Sequence, residues 1–201
     1  MSKDEPWKTL VSEVLRRRNE KNYRSTLAAL KRGRSTYTEN AAYPFVLPYS
    51  EGVPEKALLR GVSLIADFPE IPQVEKGEDE EKKPVYTPLG ESFALTSKSL
   101  AYTRGAKIEF DKPDAIAQRL RFLPNLGLEN AALTLRSILK FVEKYNHPID
   151  WYQLVQLLTH WGKGVSVSSQ KSRNRVLHDY YVNLRPYSSD NSNETPNGEE
   201  K

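Results

Sequence analysis

The chain has 201 residues, no cysteine and a net charge of +4. That length supports one substantial core or two small ones, and the lack of cysteine excludes disulfides, thiol chemistry and cysteine-ligated zinc. No apolar run approaches the roughly 20 residues of a membrane span, and "MSKDEPWKTL" carries no apolar signal region, so a soluble cytoplasmic chain without membrane contact is expected.

The elements read as helices in chain order. Asp4 can cap a first helix reaching about Arg18, with Trp7, Leu10, Val11, Val14 and Leu15 on one face. A short helix spans Ser25–Arg32, and Gly33 of "LKRGR" reads as its C-cap. Pro54–Asp67 buries Ala57, Leu58, Val62, Ile65 and Phe68, with Pro54 suited to the first turn. Pro69–Pro88 is rich in Pro, Glu and Lys and is expected to be a mobile acidic loop. Helical signals resume at Pro88–Thr96 and Pro113–Leu123. Leu128–Tyr145 has the most regular apolar spacing, from Leu128 through Ala131, Ala132, Leu135, Ile138 and Leu139 to Val142. Asp150 can cap the next helix with Gln153 reaching back, and Trp151, Leu154, Val155, Leu158 and Trp161 form its buried stripe. The glycines of "WGKG" stop it. A serine-rich basic loop, Val165–Gln170, leads to a last helix, Ser169–Val182, that buries Val176, Leu177, Tyr180 and Tyr181. Tyr187–Lys201 reads as a disordered tail. The expectation is an all-α chain of two small bundles: 1–100, containing the acidic loop 69–88, and 101–186, followed by the tail 187–201.

Charge is unevenly spread. Glu70–Lys83 and Ser188–Lys201 each carry −3, which leaves a strongly basic remainder and suggests a polyanionic partner. Lys56 and Arg60 lie four apart on one helix, as do Arg136 and Lys140 on another, so each pair shares a face. Lys31 and Arg32 close the second helix. Arg119 and Arg121 flank the long helix's region, and Lys163, Lys171, Arg173 and Arg175 gather around the serine-rich loop. Such residues suit phosphate oxygens, which need charge and donors but no shaped base pocket. The competing reading of each pair is a solvated helix face. No aromatic motif for stacking single-stranded bases is evident.

Catalytic candidates are thin. His147 reads as an exposed turn residue before a proline, and His160 as a packing or surface residue; with His178 they match no metal-ligand spacing. "WGKG" lacks the first glycine and the Ser or Thr of a phosphate loop. The acids of "GEDEE" have no apolar cover to shift their pKa. No enzyme, metal or cofactor is expected. A helical protein–protein adaptor without nucleic-acid contact is the alternative to a binding subunit.

Four segments resemble one family. "IDW…L…LLTHWGK", "ALLRGVSLIA" (Ala57–Ala66), "PLGESFALT" (Pro88–Thr96) and "LTLRSIL" (Leu133–Leu139) resemble, in order and spacing, the CasB family, the small subunit of the type I-E CRISPR Cascade complex. The resemblance implies an all-α fold of two helical subdomains without enzymatic activity. It implies contacts with a second copy, with the backbone and large Cascade subunits around the guide RNA, and with target and displaced non-target DNA strands. It places Lys31, Arg32, Arg60, Arg136 and Lys163 at basic family positions, with Lys163 as a phosphate contact, and Arg119 and Arg121 approximately so. The acidic loop, Val165–Gln170 and the tail depart from the family pattern.

Overall fold

The computed structural model describes residues 5–74, 77–78, 84–85, 87–161 and 166–185, the two short pairs as backbone only. The fold is all-α. The helices are α1 (Pro6–Arg17), α2 (Arg24–Arg32), α3 (Tyr43–Val46), α4 (Glu55–Asp67), α5 (Leu89–Thr103), α6 (Ala115–Phe122), α7 (Leu128–Tyr145), α8 (Trp151–Thr159) and α9 (Val167–Leu184). Single 3₁₀ turns lie at Lys21–Tyr23, Glu39–Ala41, Leu47–Tyr49 and Leu123–Asn125. A two-residue pairing, β1 (Gly77–Glu78) with β2 (Pro84–Val85), is antiparallel.

Several helix ends have a local cause. Pro54 precedes α4 in an extended conformation, and Pro6 and Pro44 occupy first turns, where a missing N–H costs nothing. Asp114 caps α6 by accepting from the amides of Ile116 and Ala117 at 2.9 and 2.7 Å. Asp150 caps α8 through Gln153 N at 3.0 Å, as its position suggests. The Gln153 side chain does not reach the cap's backbone amide; it donates to the Asp150 carboxylate and to the Thr87 carbonyl. Asn146 closes α7 in the left-handed region, which Asn tolerates through its short polar side chain.

Several boundaries move. Asp4 lies outside the described residues, and Glu5 stands at the α1 N-cap position with its carboxylate 2.8 Å from Lys8 Nζ. Helix α5 runs on to Thr103, seven residues beyond the expected end. The expected serine-rich loop is partly helix: Ser166 caps α9 by accepting from Ser169 N, so 167–170 form its first turn. A serine hydroxyl accepts from the amide three residues on and so starts a helix whatever the loop-like composition of the run. The start of the acidic stretch is also packed. Ile71 is buried, and the backbone of 72–74 bonds to Ile149 on both sides. Residues 75–76, 79–83, 86, 162–165 and 186–201, which include the centre of the acidic stretch, Gly162–Lys163 and the tail, lie outside the described residues.

Buried apolar residues from Trp7 to Leu184 form one connected cluster. Within it, α4 packs against α1, α2, α7 and α8, while α5 has its most extensive packing with α9. The α5–α9 crossing is close enough to exclude a side chain at Gly90. A Cβ there would overlap the Val176 carbonyl oxygen and lie 2.5 Å from Tyr180 N. Beside it, Tyr180 donates to Asp114 at 3.2 Å and takes a bond from Ser97 at 2.9 Å, so one buried hydroxyl ties α5, α6 and α9 together. Burial keeps this phenol's pKa high and its ring neutral. Each fully buried large side chain, such as Trp151 or Phe93, contributes about 1.5–3 kcal/mol through removal from water.

Candidate nucleic-acid interface

The basic residues singled out from the sequence separate into an inner and an outer set. Arg60 is the clearest member of the inner set. It sits on α4 among Ala57, Leu58, Leu59 and Val62, and its side chain is 0% exposed. Its Nε and Nη2 donate to the two carboxylate oxygens of Glu129 at 2.7 Å each. Its Nη1 lies 2.6 Å from Glu39 Oε2 and 2.6 Å from the Gly33 carbonyl. Burial pulls the guanidinium's pKa down, but bonds to Glu129 and Glu39 outweigh it and leave the group firmly charged. The expectation that Lys56 and Arg60 share a solvent face is therefore corrected. Lys56 is exposed, whereas the Arg60 position lies on the α4 face that meets α2 and α7. A spacing of four places residues near each other along a helix, but a helix buried almost all round leaves no outer face at every such pair.

Arg173 also belongs to the inner set. It is buried on α9, donates through Nη2 to the His160 carbonyl at 2.8 Å and lies 4.8 Å from the Trp161 ring centre. Trp161 in turn donates to the Leu126 carbonyl at 2.6 Å, and it sits beyond the end of α8. Arg173 thus joins α9 to the end of α8. Arg119 is half-committed: Nη1 donates to the Ala115 carbonyl at 2.5 Å, and the guanidinium lies over Phe141.

The outer set contains a genuine convergence. Arg136 on α7 is ion-paired to Asp67 at the end of α4, and the Asp67 side chain is only 7% exposed. Lys31 and Arg34, from the end of α2 and the turn after it, lie close enough to act on the same carboxylate. Burial raises the Asp67 pKa, and Arg136, Arg34 and Lys31 in turn pull it down. One carboxylate therefore faces three cations. Arg32, next to Lys31 in the chain, is exposed, and Lys140 is exposed one turn beyond Arg136. Three elements that are remote in sequence thus build a patch with excess positive charge. Lys31, Arg32, Arg136 and Lys140 are legible in the sequence. Arg34 is visible there only as part of "LKRGR", and its partner Asp67 reads only as a helix end.

The remaining candidates stay apart. Arg121 and Lys171 are exposed on α6 and α9. Arg175 is also exposed, with its Nε 3.6 Å from Asp179 on the same helix. It lines a cleft of about 1100 Å³ between α1, α8 and α9, where Lys8, Arg16 and Arg175 meet Glu13, Asp150 and Asp179. That cleft is mixed in charge, unlike the patch around Asp67. Lys163 lies outside the described residues.

Two of the histidines are placed by packing, while His178 is exposed beside Asp179. His147 is partly buried, not exposed: its Nε2 is 2.8 Å from Ser99 Oγ, and burial lowers its pKa. The His160 carbonyl serves Ser169 and Arg173. Among the described residues, no group of three or more His, Asp or Glu is placed to hold a metal ion. No described helix is long and apolar enough to cross a membrane.

Comparison with known proteins agrees with this architecture. Chains in two structures of a CRISPR RNA-guided surveillance complex, one of them in a pre-nicking state, superpose with TM-scores of 0.62 and 0.61. They share 21% and 23% identity; the matches cover 89% of this chain and 92% and 93% of theirs. A CRISPR-associated protein of the Cse2 family from Thermus thermophilus superposes at 0.58 with 19% identity, over 89% of this chain and 99% of that one. A search of curated protein sequences finds no match. The model of the CRISPR-associated protein Cse2 family matches residues 26–181, well over half the chain. The chain accordingly belongs to the Cse2 family, which is the CasB family that its sequence motifs resemble.

Proposed function

We propose that the chain is a non-catalytic small subunit of a CRISPR surveillance complex of the Cascade type. Its outer basic set holds nucleic-acid backbone and stabilises the R-loop and the displaced strand. The observation that carries this reading is the convergence of Lys31, Arg34 and Arg136 on Asp67, with Arg32 exposed next to Lys31 in the chain and Lys140 exposed one turn beyond Arg136. A single carboxylate leaves most of that charge uncompensated, and phosphate oxygens are the natural complement. Contacts of this kind read no sequence, which suits a complex in which guide pairing reads the target. Family membership and the fold shared with chains of surveillance-complex structures support the setting. Partners are then the two DNA strands, the guide RNA complex, the backbone and large subunits, and a second copy.

The test is R-loop lifetime in the assembled complex, with Arg32, Arg34 and Lys140 changed together to glutamine. These three are exposed, so the variant is expected to keep its fold. A shorter lifetime with normal incorporation is expected. An unchanged lifetime would leave these residues as solvated helix faces and favour the protein-adaptor reading.

A further inference from the structure

The turn between α2 and the Glu39–Ala41 3₁₀ turn is held from inside. Arg60 donates to the Gly33 carbonyl at its start and pairs with Glu39 at its end. Thr38 Oγ1 donates to the Arg32 carbonyl at 2.7 Å, and the amides of Thr38 and Glu39 both reach the Ser35 carbonyl, at 3.0 and 2.9 Å. Tyr37 N lies 3.3 Å from Ser35 Oγ. A turn of six residues bonded at this many points is a fixed platform. Yet Tyr37, at its tip, is 94% exposed. The flanking cations Arg32 and Arg34 are exposed as well.

A rigid turn that keeps an aromatic ring in water within five residues of two exposed arginines matches one ligand chemistry closely. A single strand offers unpaired base faces and backbone phosphates alternately along its length. Bases stack on aromatic rings while cations follow the phosphates, and the stacking tolerates any sequence because every base has a π face. A duplex shields its base faces and offers such a ring nothing.

Building on the proposed nucleic-acid reading, we propose that Tyr37 is a base-stacking residue and that the turn of 33–38 makes the patch around Asp67 a single-strand site. Arg32 and Arg34 hold phosphates, and Tyr37 takes one unpaired base. The ring acts without sequence preference and adds selectivity for unpaired over paired strands.

The experiment uses the full chain and dye-labelled oligonucleotides of about 20 nucleotides, thymidine-only single strand and random duplex, read by anisotropy at low salt. Tyr37→Leu is expected to weaken single-strand binding about tenfold and duplex binding less than about twofold. Tyr37→Phe, which keeps the ring, is expected to restore single-strand affinity to within about twofold. The salt slope stays as in wild type, because every cation that meets a phosphate is still in place. Single-strand affinity in Tyr37→Leu equal to wild type, or an equal loss on both ligands, overturns the stacking role while leaving the backbone reading intact. Wild-type protein that binds neither ligand overturns both.

Discussion

Around Gly33, one buried arginine and two exposed ones face opposite media. On the inner side, Arg60 gives donors to Glu129 and the Gly33 carbonyl, pairs with Glu39 and sees no solvent. On the outer side, Arg32 and Arg34 are exposed, and among the described residues one carboxylate, Asp67, answers Lys31, Arg34 and Arg136 together. In the sequence these residues are equivalent cations at helical spacings. In the fold, the inner one is an internal cross-link between α2, α4 and α7, and the outer ones are surplus charge. The difference teaches that a basic residue informs about a partner only after its carboxylates have been counted. A guanidinium that is buried and paired within its own chain is out of reach of a phosphate.

The comparison breaks most visibly from the inside. Arg60→Ala removes the partner of Glu39, which is almost wholly buried, and is expected to cost about 3–5 kcal/mol in chemical denaturation. A much smaller loss would mean that the inner arginine is not the cross-link described. Next in size is Gly90→Ala, away from both groups. Its methyl would meet backbone atoms of Val176 and Tyr180, which cannot swing aside as a side chain can. The expected cost is about 1–3 kcal/mol, read in the same way. Asp150→Ala removes the α8 cap and a bond from Gln153 and should cost about 1 kcal/mol.

A smaller effect comes from His147. Burial holds its pKa below the ordinary 6.5, so the native state binds fewer protons than the unfolded chain. This contribution is complete above about pH 6.5 and is lost as pH falls from there toward the folded-state value. Unfolding free energy measured across that window should slope less steeply in His147→Gln than in wild type. The smallest stability effect belongs to the outer group: Arg32→Gln with Arg34→Gln should change stability by no more than about 0.5 kcal/mol.

Much of the fold was legible because apolar periodicity reports burial directly. The α7 spacing placed that helix to the residue, and Asp150 and Pro54 marked starts through capping and first-turn chemistry. What was not legible is mostly tertiary. The end of α5 at Thr103 depends on its packing against α9, and the close crossing at Gly90 has no local signal. Ser166 looks like loop composition, although a serine hydroxyl is also a helix cap. For the candidate site, Lys31, Arg32, Arg136 and Lys140 could be named from their spacing. Arg60 was placed on the wrong side of its helix because Glu39 and Glu129, which hold it, lie 21 and 69 residues away in the chain. Tyr37 gave no sequence signal because exposure on a braced turn is a property of the fold.

The most direct test of the inner–outer distinction is the salt dependence of DNA affinity for wild type and for Arg32→Gln/Arg34→Gln. Removing one cation from one phosphate should make the slope of log affinity against log salt shallower by about 0.7–0.9. The double variant, with unchanged thermal stability, should therefore have a slope shallower by about 1.4–1.8. A slope equal to wild type would show that the outer arginines touch no phosphate and would contradict the distinction.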